Sequence, residues 1–126
     1  MLVNTSNKTK AIDFLLQCSR GESRNAFEQY ASSNIIHHNA YFPADPKVLM
    51  QAMEDNAKRF PEMTFTIQRA IVEGDIVAVH SKAHMEKGDR GYAIMHILRF
   101  VNDKIVELWD FGQPVPEDMP NENGMF

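Results

Sequence analysis

Apolar side chains in the first half of the chain recur at helical spacing, whereas beyond Pro61 they recur every second residue. Over residues 10–19, Ile12, Leu15, Leu16 and Cys18 fall mostly on one side, which predicts a first helix, with Gly21 where a C-terminal cap would sit. Ser23 is placed to cap a second, brief helix carrying Ala26, Phe27 and Tyr30, and Ser32-Ser33-Asn34 breaks its pattern. Ile35-Ile36-His37-His38-Asn39 is too short for a helix and begins with two β-branched residues, so it reads as a short strand or extended arm. Asp45-Pro46 then gives an N-cap followed by proline at the first helical position. Leu49, Met53, Ala57 and Phe60 continue that helix to Pro61.

The period-two region predicts strands near residues 64–73, 76–85, 92–101 and 105–113. Glu73-Gly74-Asp75, Lys87-Gly88-Asp89-Arg90-Gly91 and Asn102-Asp103-Lys104 tolerate tight-turn dihedrals, and connections so short make antiparallel hairpins. Helices first and a meander second is an α+β pattern, with helices covering one face of a curved antiparallel sheet. No repeat or linker divides residues 1–126, so one domain is expected. Residues 114–126 hold three of the six prolines and should form an irregular tail whose apolar end, Met125-Phe126, can dock.

Alternation assigns side chains to faces. Tyr92, Ile94, His96, Leu98 and Phe100 fall together on an apolar face, and Val106, Leu108 and Asp110 share the inward face of the last strand. Asp110 there needs a hydrogen-bond partner or titrates late, which makes it a candidate acid/base; a structural carboxylate paired with Arg99 or with backbone amides near a sheet edge is the alternative. Adjacent His37 and His38 point to opposite sides if extended. We take His38 as the pocket residue, suited to proton transfer, with Asn39 beside it orienting a carbonyl or water; a buried histidine satisfied by a backbone carbonyl is the alternative. Ile105, Glu107, Trp109 and Phe111 fall on the outer face, where Ile105, Trp109 and Phe111 form a candidate dimer patch.

Composition narrows the function further. The chain has 126 residues, 44% of them hydrophobic and 24% charged, enough for one packed core without staples. A net charge of -4 with no basic run argues against a nucleic-acid partner. The polar start and the lack of a long apolar stretch argue against a membrane segment and, with Cys18 as the single cysteine, point to the cytoplasm. His80 and His84 are four residues apart on one strand, about 13 Å, too far to share a zinc ion. No metal is therefore expected. The six glycines form no phosphate-binding loop, so no nucleotide cofactor is expected either.

Ile36-His37-His38-Asn39, the run from Glu73 to His80, and Lys104-Ile105-Val106-Glu107-Leu108-Trp109-Asp110 resemble the SnoaL-like polyketide cyclase relatives of the nuclear transport factor two-like superfamily. Pro114-Val115-Pro116 and the terminal Asn123-Gly124-Met125-Phe126 resemble the branch described as predicted aldol condensation-catalysing proteins. The resemblance implies a cone-shaped sheet wrapped around the N-terminal helices and open to a small-molecule pocket, with homodimers built through the outer sheet face. It also implies cofactor-free chemistry on a carbonyl compound, or ligand binding alone. Asp110 matches the proton-shuttling carboxylate, His38 and His96 would assist, and Asn39, Gln113 and Tyr92 would hold the substrate.

Overall fold

The computed structural model of the chain describes residues 6–126; residues 1–5 of the polar start lie outside the described residues. Helix α1 spans Asn7–Ser19 and begins ahead of its apolar stripe because the Ser6 hydroxyl accepts from the Thr9 amide at 3.2 Å. It ends at Gly21, whose φ of +85° suits glycine. Helix α2 follows as Ser23–Tyr30. Ser23 does not cap it: Glu22 stands at that position, and the buried Ser23 hydroxyl donates instead to the Met50 carbonyl at 3.1 Å, tying α2 to α3. A Tyr30–Asp13 hydrogen bond of 2.5 Å joins α2 to α1; it holds the Asp13 carboxyl below its usual range, while burial pushes the Tyr30 hydroxyl up to about 12.

Strand β1, Ala31–His37, starts directly after α2 and absorbs the Ser32-Ser33-Asn34 run that the sequence pattern reads as a break. Helix α3, Pro46–Arg59, starts where Asp45 and Pro46 predict, with the Asp45 carboxylate accepting from the Lys47 amide at 2.9 Å. Strands β2 (Thr64–Glu73), β3 (Ile76–His84), β4 (Tyr92–Val101) and β5 (Lys104–Pro114) make the antiparallel meander. The sheet order is β1-β5-β4-β3-β2, with β1 lying parallel to β5. A parallel neighbour needs a long connection, and the whole chain from α3 to β4 supplies it.

The sheet's inner face packs against the helices through Phe14 and Leu15 of α1, Phe27 of α2, Leu49 of α3, and Val77, Val79, Leu98, Phe100 and Leu108 of the strands. Cys18 belongs to this core, and desolvation pushes its thiol up to about 12, so it stays protonated.

Two features of β5 decide what faces where. Asn102 and Asp103 both adopt positive φ, 49° and 67°, closing the β4–β5 hairpin with a tight turn. Immediately afterwards the register shifts, with Phe100 opposite Ile105 but Arg99 opposite Glu107, so Val106 is an extra residue. This bulge turns Ile105 into the core, fully buried, and removes it from the outer patch to which strict alternation assigns it. The tail docks on the outer face: the Phe126 ring lies 6.2 Å from the His80 ring and the Lys82 ammonium sits 5.0 Å from its centre.

Candidate active site

Pairing of β1 with β5 fixes the histidine pair. Ile36 lies beside Glu107 and His37 beside Leu108, so His37 shares the inner face with buried Leu108. His37 is itself buried; its Nε2 donates to the Pro43 carbonyl at 2.8 Å and its Nδ1 accepts from the Asn39 amide at 3.2 Å. It shapes the turn after β1 and has no ring nitrogen left for a ligand.

His38 therefore faces outward, correcting its expected place in the pocket. Its ring stacks on Trp109, 5.1 Å apart and 9° from parallel, and its Nε2 lies 2.7 Å from Glu107 Oε2. Arg99 donates to the other oxygen of Glu107 at 3.1 and 2.8 Å. His38 first and Arg99 second hold that carboxyl below its usual range. The alternative role of Arg99, pairing with Asp110, does not form.

Asn39 returns to the inner side. Its Nδ2 donates to Asp110 Oδ2 at 2.9 Å while its own carbonyl oxygen accepts from the Tyr41 amide at 3.0 Å, which fixes the amide's orientation. Asp110 is partly buried and stands opposite His96 in the β4–β5 register, on the same inner face. Opposed residues of an antiparallel pair have Cβ atoms about 4.5–5.5 Å apart.

His96 is buried, and its Nδ1 has no hydrogen-bond partner among the described residues. Burial lowers its pKa to about 4, against the smaller opposing pull of the Asp110 charge, so at neutral pH the ring is uncharged. The Phe65 ring meets it edge-on at 6.1 Å. His96 forms part of the wall of a cavity of about 150 Å³ that also involves Leu15, Cys18, Met53, Phe65 and Met85.

Two expected substrate-binding residues fall elsewhere. Tyr92 has the parity of His96 but lies at the exposed end of β4, opposite Pro114 and outside the cavity wall. Gln113 pairs with Ala93 and shares the outward parity of Trp109 and Phe111, so its amide is on the far side of the sheet. His80 and His84 are occupied separately, His80 with Arg69 and His84 with Asp89 at 2.8 Å. Among the described residues no three His, Cys, Asp or Glu side chains come together as metal ligands.

Two polar groups join the inner side that the motifs did not mark. Ser81 is fully buried and its hydroxyl has no hydrogen-bond partner among the described residues; its alternation with Val77, Val79 and Ala83 was the available signal. Asn56 of α3 directs its amide at the sulfurs of Met63 and Met85, 3.8 and 3.9 Å away, and no local pattern announces that.

Solved structures with this fold are numerous. AclR of Streptomyces galilaeus, a proposed hydroxylase, superposes with a TM-score of 0.70 at 21% identity, covering 84% of this chain and 87% of that one. IdmH of Streptomyces antibioticus, a proposed polyketide cyclase, gives 0.68 at 18% identity over 85% and 92%. A nuclear transport factor two-like protein of unknown function from Cytophaga hutchinsonii gives 0.70 at 14% identity over 90% and 96%. At these identities the likeness concerns the fold. No curated protein matches the sequence. The family model for SnoaL-like polyketide cyclases matches residues 9–116, and the chain therefore belongs to the SnoaL-like polyketide cyclase family.

Proposed function

We propose that the protein is a cofactor-independent enzyme that moves a proton on a small carbonyl compound, in a cyclase, lyase or isomerase reaction, with Asp110 as the acid/base and His96 as its partner. The observation that carries this reading is the opposition of the Asp110 carboxylate and the buried, uncharged His96 ring on one inward face. Asn39 holds Asp110 Oδ2, leaving Oδ1 without a hydrogen bond among the described residues and available to take a proton from the carbon beside the carbonyl. As that proton leaves, charge develops on the carbonyl oxygen, and an imidazole N–H of His96 stabilises it without giving up its proton. Asp110 then returns the proton to a different carbon, or the enolate carbon attacks a second carbonyl and Asp110 gives the proton to the alkoxide so formed. His37 and His38 have no part in these steps.

The reading is tested by deuterium exchange at the α-carbon of a panel of simple ketones. Asp110→Asn should slow exchange by about 10²- to 10⁴-fold, the usual worth of a general base, and His38→Gln should leave it unchanged. Full exchange in the Asp110 variant would sink the mechanism. Ligand binding with no exchange in the unaltered protein would make it a binding protein of the same fold.

A homodimer through the outer sheet face belongs to the same proposal, supported by exposed Ile36 and Phe111 flanking Trp109. A single unpaired cysteine supports a cytoplasmic setting; among the described residues no helix is long and apolar enough to cross a membrane.

A further inference from the structure

Met63 and Met85 stand at the open end of the β2–β3 pair. The antiparallel register Phe65↔Ala83 and Thr64↔His84 continues by one step to these two residues, and both have the inward parity of Phe65 and buried Ala83. Their backbones are held: the Met63 amide donates to the Phe60 carbonyl at 3.0 Å, and the Met85 amide donates to Asp89 Oδ2 at 2.8 Å. Asn56 of α3 meets both side chains, its Nδ2 lying 3.8 Å from Met63 Sδ and 3.9 Å from Met85 Sδ. One side-chain amide thus serves two thioethers.

A thioether is a weak acceptor, and an amide N–H is better satisfied by oxygen. Among the described residues those two sulfurs are the only acceptors that Asn56 Nδ2 meets. Oxidation supplies an oxygen without any ligand, because methionine sulfoxide carries a polar S–O group where the thioether was apolar. An oxygen added to either sulfur on the side facing α3 falls between that sulfur and Nδ2. A small rotamer change of the unbranched methionine then sets it about 2.7–3.2 Å from the nitrogen. The amide has two hydrogens, enough for both sulfoxides. Met63 and Met85 are only partly buried and line a pocket that opens to solvent, so a small oxidant reaches them in the folded protein.

We infer that the Met63–Met85 pair is a site of oxidation by hydroperoxides, and that Asn56 binds the sulfoxide oxygen and so holds the oxidised form in the native fold. In the reaction a lone pair on sulfur attacks the outer oxygen of the hydroperoxide. The O–O bond breaks as the S–O bond forms, and the departing oxygen keeps the bonding pair, takes the proton and leaves as water or an alcohol. Sulfur loses two electrons and the peroxide gains them. A sulfoxide among packed side chains ordinarily loosens them; here it adds a hydrogen bond between α3 and the end of the sheet.

Hydrogen peroxide is the probe. Peptide mass spectrometry should find sulfoxide at Met63 or Met85 of the folded protein at peroxide levels that oxidise the exposed Met119, and the Asn56 side-chain amide protons should move downfield in the NMR spectrum. The double variant Met63→Leu with Met85→Leu, which nearly keeps side-chain volume, should leave those protons unmoved by peroxide. In urea unfolding, oxidation should raise the unfolding constant of Asn56→Leu by about two- to tenfold more than that of the unaltered protein, the worth of one hydrogen bond. Each protein is compared with its own oxidised form, which cancels the cost of Asn56→Leu itself. Both methionines intact when Met119 is fully oxidised, Asn56 protons unmoved in protein that carries the sulfoxide, or an equal effect of oxidation on the two proteins would each overturn the inference.

Discussion

His37 and His38 show how one residue of register decides chemistry. Alternation in the sequence says that only one of them can face inward, but not which; the pairing of His37 with Leu108 settles it, and that pairing joins segments 71 residues apart. Asp110 was legible because Leu108, two residues earlier in the same strand, marks its face; His96 was legible for the same reason through Leu98 and Phe100. The lowered pKa of His96 has a consequence for stability. Its folded value near 4 lies below the ordinary 6.5, so between these values the unfolded chain binds the extra proton, and stability present at neutral pH is lost as pH falls from about 6.5 to about 4. Urea unfolding at pH 7 and pH 5 should show this loss, and His96→Gln should remove most of it; an unchanged difference in the variant would mean that His96 is not buried uncharged.

At the scale of elements, the helix at Asp45-Pro46 and the four meander strands follow from local signals, because capping and alternation act within a few residues. The bulge at Val106 does not, since an extra residue leaves the apolar and polar sequence of β5 looking regular. It divides three residues that alternation groups together: Ile105 is fully buried, Trp109 stacks on His38, and Phe111 is 63% exposed. Ile105→Ala should accordingly cost about 2–5 kcal/mol and Phe111→Ala under about 0.5 kcal/mol by chemical denaturation. Similar small costs for both would place Ile105 outside and remove the bulge from the account. The same extra residue restores the inward direction of Leu108 and Asp110, so the strand's irregularity is part of what builds the site.

For the whole molecule, the outer face of the sheet carries two different surfaces. Phe126 covers His80 and Lys82 on β3, while Ile36 and Phe111 are exposed beside Trp109 on the β1–β5 side, the surface proposed for a second copy. Light scattering at low micromolar concentration should give twice the chain's 14.4 kDa, and Phe111→Glu should shift it toward one chain; a monomer in the unaltered protein would contradict the interface. The fold class was readable because helices and alternating strands segregate into halves, whereas the parallel placement of β1 and the contact of Asn56 with Met63 and Met85 arise only when those halves meet. The central claim is that chemistry sits on the inner face at Asp110 and His96 and not at the outer His38-Glu107-Trp109 cluster. The most direct test is α-deuterium exchange measured side by side for the unaltered protein, Asp110→Asn and His38→Gln. Exchange lost in the first variant and kept in the second is the predicted result, and exchange kept in Asp110→Asn but lost in His38→Gln would contradict it.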